Sequence, residues 1–159
     1  MTAFRFLLIS AILFTTLSVG FSASTIKKNV FALWNLEEMA KCALNHSAMA
    51  YNNYGCWCGV GGAGTPVDEI DACCRNHDLC YDSAVETGEC FDVEIEYIDG
   101  YSWTCENHAP VCSQAASQSK CQKALCQCDY NVVTCWGKFP APTQKASCKK
   151  ARKLLHFHS

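Results

Sequence analysis

The run Cys73-Cys74-Arg75-Asn76-His77-Asp78-Leu79-Cys80-Tyr81 sets an imidazole beside a carboxylate on a stretch of helical character, and a further acid, Asp129, comes much later in the chain. A neutral imidazole can draw a proton from water. A divalent cation held by the adjoining carboxylate can polarise an ester carbonyl, so that base and electrophile share one site. Tyr81 falls one turn beyond His77 on the same helix face. The second ring nitrogen of His77 then needs an acceptor to fix its tautomer and orientation, a task suited to a buried Asp129 held in turn by tyrosine hydroxyls. A helix histidine alone is usually inert, and a helix aspartate alone usually caps or pairs, so the chemistry depends on what else converges.

The converging feature is a loop. Gly55, Gly59, Gly61, Gly62 and Gly64 crowd the stretch between Tyr54 and Pro66, too flexible for helix or strand, and Cys56 and Cys58 pin it. Inward-turned peptide carbonyls are hard oxygen ligands, and calcium takes about 6 to 8 oxygens at roughly 2.3 to 2.6 Å. Three loop carbonyls, water and the two oxygens of Asp78 would fill such a shell. Gly59, Gly61 and Gly64 also match G-x-G-x-x-G, but no strand of a βαβ unit precedes them and cysteines flank them, so dinucleotide binding is rejected. A P-loop is excluded because no Lys-Ser or Lys-Thr pair follows the glycines. Zinc at Cys56-x-Cys58 or Cys126-x-Cys128 is set aside, since an oxidising compartment would consume these thiols.

The elements that must position these groups are legible in outline. Between Ala32 and Asn45 the residues Leu33, Leu36, Met39, Ala40 and Leu44 recur at helical spacing, and Asn45-His46-Ser47 is a glycosylation sequon in the expected turn after it. Pro66 and Asp68, with Glu69 and Asp71 in the first turn, predict a second helix that carries His77 and Asp78 and stops at Gly88. Alternation through Phe91, Val93, Ile95, Tyr97, Tyr101 and Trp103 predicts a small hairpin, with Asp99-Gly100 as its turn. A third helix is expected from about Gln114 to Trp136, carrying Asp129.

Arg5, the apolar run Phe6 to Val19 and the small residues Ser22-Ala23-Ser24 read as a signal peptide over 1–24. The chain beyond it is long enough for one domain with a modest core. Its 14 cysteines, an even number behind a secretory leader, read as a disulfide framework whose connectivity the count alone leaves open. Arg5 is one of 13 basic residues against 15 acidic ones, so the mature chain is slightly acidic and nucleic acid is excluded as a partner. Lys145, Lys149, Lys150, Arg152 and Lys153 cluster at the carboxyl end, where the plain reading is a solvated basic tail and the sharper one an anionic-membrane contact.

The stretch from Tyr54 through Cys56, Trp57, Cys58 and the glycines to Thr65-Pro66-Val67-Asp68 and on to His77-Asp78-Leu79-Cys80-Tyr81 resembles the calcium loop and active-site helix of secreted phospholipase A2. The resemblance extends to Ala32-Leu33-Trp34-Asn35-Leu36, to Tyr101-Ser102-Trp103-Thr104-Cys105 and to Cys126-Gln127-Cys128-Asp129, and covers roughly 32–148. It implies a mainly α, disulfide-rich fold: three main helices, two of them long, antiparallel and disulfide-linked, a calcium loop and a small β-hairpin wing. It further implies Ca2+ on the carbonyls of Trp57, Gly59 and Gly61 and the carboxylate of Asp78. His77 becomes the general base, oriented by Asp129, which Tyr81 and Tyr101 hydrogen-bond, while the Gly59 amide helps to stabilise the oxyanion. Tyr97 is implied to reach the substrate phosphate. Leu33, Leu36, Tyr51, Val132 and Val133 are implied to line the acyl channel, and Leu33, Trp34 and Val60 to meet the lipid surface.

The same resemblance implies Cys42 paired with Cys105, Cys56 with Cys148, Cys58 with Cys74, Cys73 with Cys135, Cys80 with Cys128, Cys90 with Cys121 and Cys112 with Cys126, the pattern of the pancreatic-like branch. Some features depart from that pattern. Trp57 stands where tyrosine is usual, an exchange without effect if only its carbonyl is used. Residues 42–56 are shorter than usual, 149–159 form an added basic tail, and 25–31 read as a short propeptide or amino-terminal extension. The implied activity is calcium-dependent hydrolysis of the sn-2 ester of glycerophospholipids by a secreted, extracellular monomer acting on membranes or micelles, with a cell-surface receptor as a further partner. The competing reading is a vestigial, toxin-like binding protein of the same fold.

Overall fold

The computed structural model describes residues 31–92 and 100–148. Three helices, α1 (Phe31–Leu44), α2 (Glu69–Glu86) and α3 (Lys120–Trp136), pack around one core, and an antiparallel pair, β1 (Trp103–Glu106) and β2 (Ala109–Cys112), forms the wing. A single 3₁₀ turn, Ala48–Ala50, follows α1. The signal peptide, residues 25–30 of the 25–31 extension, Tyr97 and the tail over 149–159 lie outside the described residues, while Phe31 already belongs to α1.

In α1 the residues Ala32, Leu36, Met39 and Ala40 face inward, leaving Leu33 and Trp34 exposed near its start. The helix ends at Asn45, whose φ of 58° is a left-handed conformation that asparagine tolerates. Helix α2 begins at Asp68, whose side chain accepts the Asp71 amide at 3.0 Å and also takes the Tyr54 hydroxyl at 2.5 Å. That bond, then burial and the charges of Asp68 and Asp71, push the Tyr54 phenol up to about 12, so it stays a donor.

The way α2 and α3 face each other follows from two bridges. Cys73 joins Cys135 and Cys80 joins Cys128, so as one helix advances by two turns the other retreats by two. Helices α2 and α3 are therefore antiparallel, with these faces turned to each other. His77 sits one turn past Cys73, on the face that meets α3, and Asp129 directly follows Cys128. All 14 cysteine sulfurs lie in bridges, joining the seven pairs that the resemblance implied, so no thiol is left for zinc.

Two boundaries differ from the sequence expectation. Helix α3 starts at Lys120 rather than near Gln114, because Ser119 and Gln122 form a reciprocal capping box. The hairpin lies further along than the Asp99-Gly100 turn would place it: its turn is Asn107-His108, with φ of 51° and 63°. Two successive positive φ values make the type I′ geometry that suits strand twist, here supplied by residues other than the usual Asn-Gly. Residues 93–99, including most of the expected first strand, lie outside the described part.

The segment from Lys145 to Cys148 forms a strap. Lys145 Nζ donates to the carbonyls of Met49, Ala50 and Asn52 at 3.2, 2.7 and 2.7 Å. The Gly55 amide donates to Ala146 O at 2.9 Å, Ser147 bridges to Gly55, and Cys148 is bonded to Cys56. The strap thus fastens the entry to the glycine loop.

Candidate active site

His77 Nε2 lies 2.5 Å from Asp129 Oδ1, and Asp129 is completely buried at 0 % exposure. A buried carboxylate must be satisfied, and three groups do so: the imidazole, the Tyr81 hydroxyl at 2.8 Å on Oδ1, and the Tyr101 hydroxyl on Oδ2. Burial, then the charge and hydrogen bond of Asp129, push the Tyr101 phenol far up, so it remains protonated and donates. With Nε2 donating to Asp129, Nδ1 is left with its lone pair. That nitrogen is 4.0 Å from Asp78 Oδ1, so the free lone pair and the second carboxylate face one space.

Asp78 abuts the glycine loop. A Cβ added to Gly62 would lie 3.0 Å from Asp78 Oδ2 and 2.2 Å from the Trp57 ring, so the chain passes there only as glycine. Gly59 and Gly61 have φ of 147° and 73°. Together with Asn53, Gly55 and Trp57 they line a cleft of about 180 Å³. Among the described residues no three His, Cys, Asp or Glu side chains are placed to hold one metal ion, so a cation here would be held mostly by peptide oxygens. That donor set, all oxygen with one carboxylate, fits a hard divalent ion such as calcium and not zinc. The residues that would hold it are Trp57, Gly59 and Gly61 through their carbonyls and Asp78 through its carboxylate.

Asp71 reads from sequence only as an acid at a helix start. It is fully buried, and its two oxygens accept the amides of Cys56, Trp57 and Val67, each at 2.8 Å. One side chain therefore ties both ends of the glycine loop to α2. Gly55, at φ 65°, is required beside it, since a Cβ would stand 2.3 Å from the carboxyl carbon. Asp71→Asn keeps the shape but turns an acceptor into a donor facing amides. It is expected to cost about 3 kcal/mol in denaturant unfolding with the bridges intact, because hydrogen bonds to charge contribute about 1.5–3 kcal/mol each.

The Trp57 side chain is also engaged. Its indole Nε1 donates to Gly64 O at 3.1 Å, spanning the loop, and the Arg75 guanidinium sits 5.6 Å above the ring. The exchange from tyrosine is thus not confined to the backbone.

The remaining sequence candidates divide. Leu36, Tyr51, Val132 and Val133 are buried in the common apolar core, and Tyr51 stacks on Trp136 at 4.0 Å. Leu33, Trp34 and Val60 are exposed by 44, 66 and 104 %, the last at the loop tip. Asn45 is exposed, and Ser47 of its sequon donates to Glu37 at 2.9 Å. Three side-chain amides carry no signal in the sequence: Asn35, Gln118 and Gln122 all bond the backbone around Tyr101.

The phospholipase A2 family model matches residues 33–149. The chain belongs to the phospholipase A2 family. It is an enzyme of that class. It is 39 % identical over 132 residues to a phospholipase A2 of Bos taurus, covering 81 % of this chain and 88 % of the relative. A phospholipase A2 of Ovis aries is 40 % identical over 112 residues, 69 % of this chain and 89 % of the relative. The group 10 secretory phospholipase A2 of Mus musculus is 42 % identical over 118 residues, 73 % of this chain and 74 % of the relative. No helix among the described residues of this phospholipase A2 is long and apolar enough to cross a membrane.

Proposed function

We propose that the protein is a secreted, calcium-dependent phospholipase A2 that hydrolyses the sn-2 ester of glycerophospholipids at lipid surfaces, releasing a fatty acid and a lysophospholipid. The observation that carries this reading is the dyad of His77 and Asp129 at 2.5 Å with Asp78 facing the other imidazole nitrogen. His77 Nδ1 takes a proton from water as its oxygen attacks the ester carbonyl, and Asp129 stabilises the imidazolium that results. Tyr81 and Tyr101 hold the Asp129 carboxylate in place by donating to it. Calcium, when bound by Asp78 and the loop carbonyls, supplies positive charge to polarise that carbonyl. The Gly59 amide is the protein donor assigned to the oxyanion. Return of the proton to the leaving glycerol oxygen completes the hydrolysis.

Leu33, Trp34 and Val60 are assigned to the lipid surface, a reading that their exposed apolar side chains support. Leu36, Tyr51, Val132 and Val133 are assigned to the acyl-chain side of the site, and Tyr97 to the phosphate. The leader over 1–24, a glycan at Asn45 and a cell-surface receptor belong to the same secretory reading. No observation favours the ligand-only alternative.

Phosphatidylcholine vesicles carrying different labelled acyl chains at sn-1 and sn-2 test the reading. The sn-2 label is expected to be released at least about a hundredfold faster than the sn-1 label, and only with calcium, in keeping with positioning by a fixed site. Equal release of both labels, or release unaffected by a chelator, would sink the proposal.

A further inference from the structure

The backbone that carries Tyr101 is gripped at three successive residues by three side-chain amides, one on α1 and two at the entry to α3. Gln122 Nε2, in the first turn of α3, donates to Gly100 O at 2.8 Å. Asn35 Nδ2, on α1, donates to Tyr101 O at 2.8 Å. Gln118 Oε1, just ahead of α3, accepts the Ser102 amide at 2.5 Å, while its Nε2 donates to Ser113 O at 2.6 Å. Gln118 is 8 % exposed and is one of the few buried polar side chains among the described residues.

The register explains why Gln118 is there. Trp103 opposes Cys112, so the next rung of the wing is Ser102 opposite Ser113. Half of that rung forms normally, the Ser113 amide donating to Ser102 O at 3.1 Å. The other half does not close: the Ser102 amide and the Ser113 carbonyl each bond the Gln118 carboxamide instead. Gln118 acts as an inserted peptide group that satisfies both backbone atoms while keeping them apart. The chain leaves the ladder at this point, and the next residue back, Tyr101, sends its hydroxyl to Asp129.

We infer that Gln118 is a positioning residue for catalysis, acting through Ser102 and Tyr101 on the Asp129 carboxylate that orients His77. This rests on the hydrolytic reading of the His77 and Asp129 pair. Without the inserted amide, the Ser102 amide and Ser113 carbonyl either close on each other or stay unsatisfied, and both outcomes shift Tyr101 relative to Asp129. Small misplacements of an orienting group act on turnover rather than on binding.

The test is a cycle of Gln118→Leu and Tyr101→Phe, with Gln118→Glu as the conservative variant, because glutamate keeps an acceptor for the Ser102 amide. In the parent background Gln118→Leu is expected to lower kcat roughly tenfold with KM within about twofold, and Gln118→Glu to fall between. With Tyr101→Phe already present, Gln118→Leu should change kcat less than about twofold, since the route through the hydroxyl is gone. The imidazole N–H proton resonance of His77, read by NMR at a temperature well below unfolding, should move in Gln118→Leu and stay in place for a wing substitution such as Thr104→Ala. Equal kcat losses with and without the Tyr101→Phe substitution, or an unmoved resonance, would overturn the inference. If Gln118→Leu does not fold, Gln118→Glu carries the same cycle, and an unchanged kcat and resonance in it would count against the inference. A parent protein with no turnover defeats the hydrolytic reading instead, and the resonance then still decides the role of Gln118.

Discussion

Replacing His77 with glutamine should lower fatty-acid release by about a thousandfold, the middle of the range for losing a positioned general base. Glutamine can still donate to Asp129, so the buried carboxylate keeps a partner, but it offers no basic nitrogen on the side facing Asp78. The seven bridges and the core do not depend on the imidazole, so the unfolding curve should be nearly unchanged. Titration of acid released from phosphatidylcholine vesicles at saturating calcium, run beside that curve, separates lost chemistry from lost structure. A variant retaining a tenth of the parent rate would mean that another group takes the proton.

Asp78→Asn should weaken calcium binding on the order of 100-fold, because in the proposed site Asp78 is the single charged ligand. Calorimetric titration of calcium reads this without reference to turnover. The pH dependence provides a second view of the same side chain. Burial pushes the Asp78 carboxyl up to about 6 from 3.8, with the His77 charge opposing and the Asp82 and Asp71 charges adding to the rise. A pKa raised by folding means that its contribution to stability is fully present below about 4 and is lost as pH climbs through about 6. The calcium-free parent should therefore lose stability relative to calcium-free Asp78→Asn over that window, as the carboxyl ionises freely in the unfolded chain while burial holds it protonated in the folded one. Calcium binds the ionised form, so its stabilisation of the parent should grow over the same range. A difference between the two proteins that is flat from pH 4 to 7 would contradict the placement of Asp78.

Much of this site can be read from residue types because the chemistry and the helix signals coincide. Asp68, Glu69 and Asp71 mark the start of α2, and the Cys73 to Tyr81 run fixes which face carries His77. Other parts resist for physical reasons. Asp71 fits the helix dipole as well as it fits the loop amides, and only the fold shows that it turns away from solvent to take three of them. Asn107-His108 lacks the Asn-Gly signature, so Asp99-Gly100 draws the hairpin expectation to itself. The amides of Asn35, Gln118 and Gln122 can bond any backbone within reach, and the partner they choose is set by three segments meeting far apart in sequence. Lys145 looks like one cation of a solvated tail, yet three carbonyls gather around its ammonium.

The strap through Ala146 and Cys148 also sets an order of events during synthesis. Cys56 opens the glycine loop early in the polypeptide but cannot find its native sulfur until residue 148 has been translated, 92 positions later. Until then a nascent chain carries a reactive thiol two residues from Cys58, where premature exchange is favoured by proximity. The entry to the glycine loop is thus secured last, and a ribosome-bound or carboxyl-truncated product would be a helical body whose loop hangs on Asp71 and the Cys58–Cys74 bridge alone.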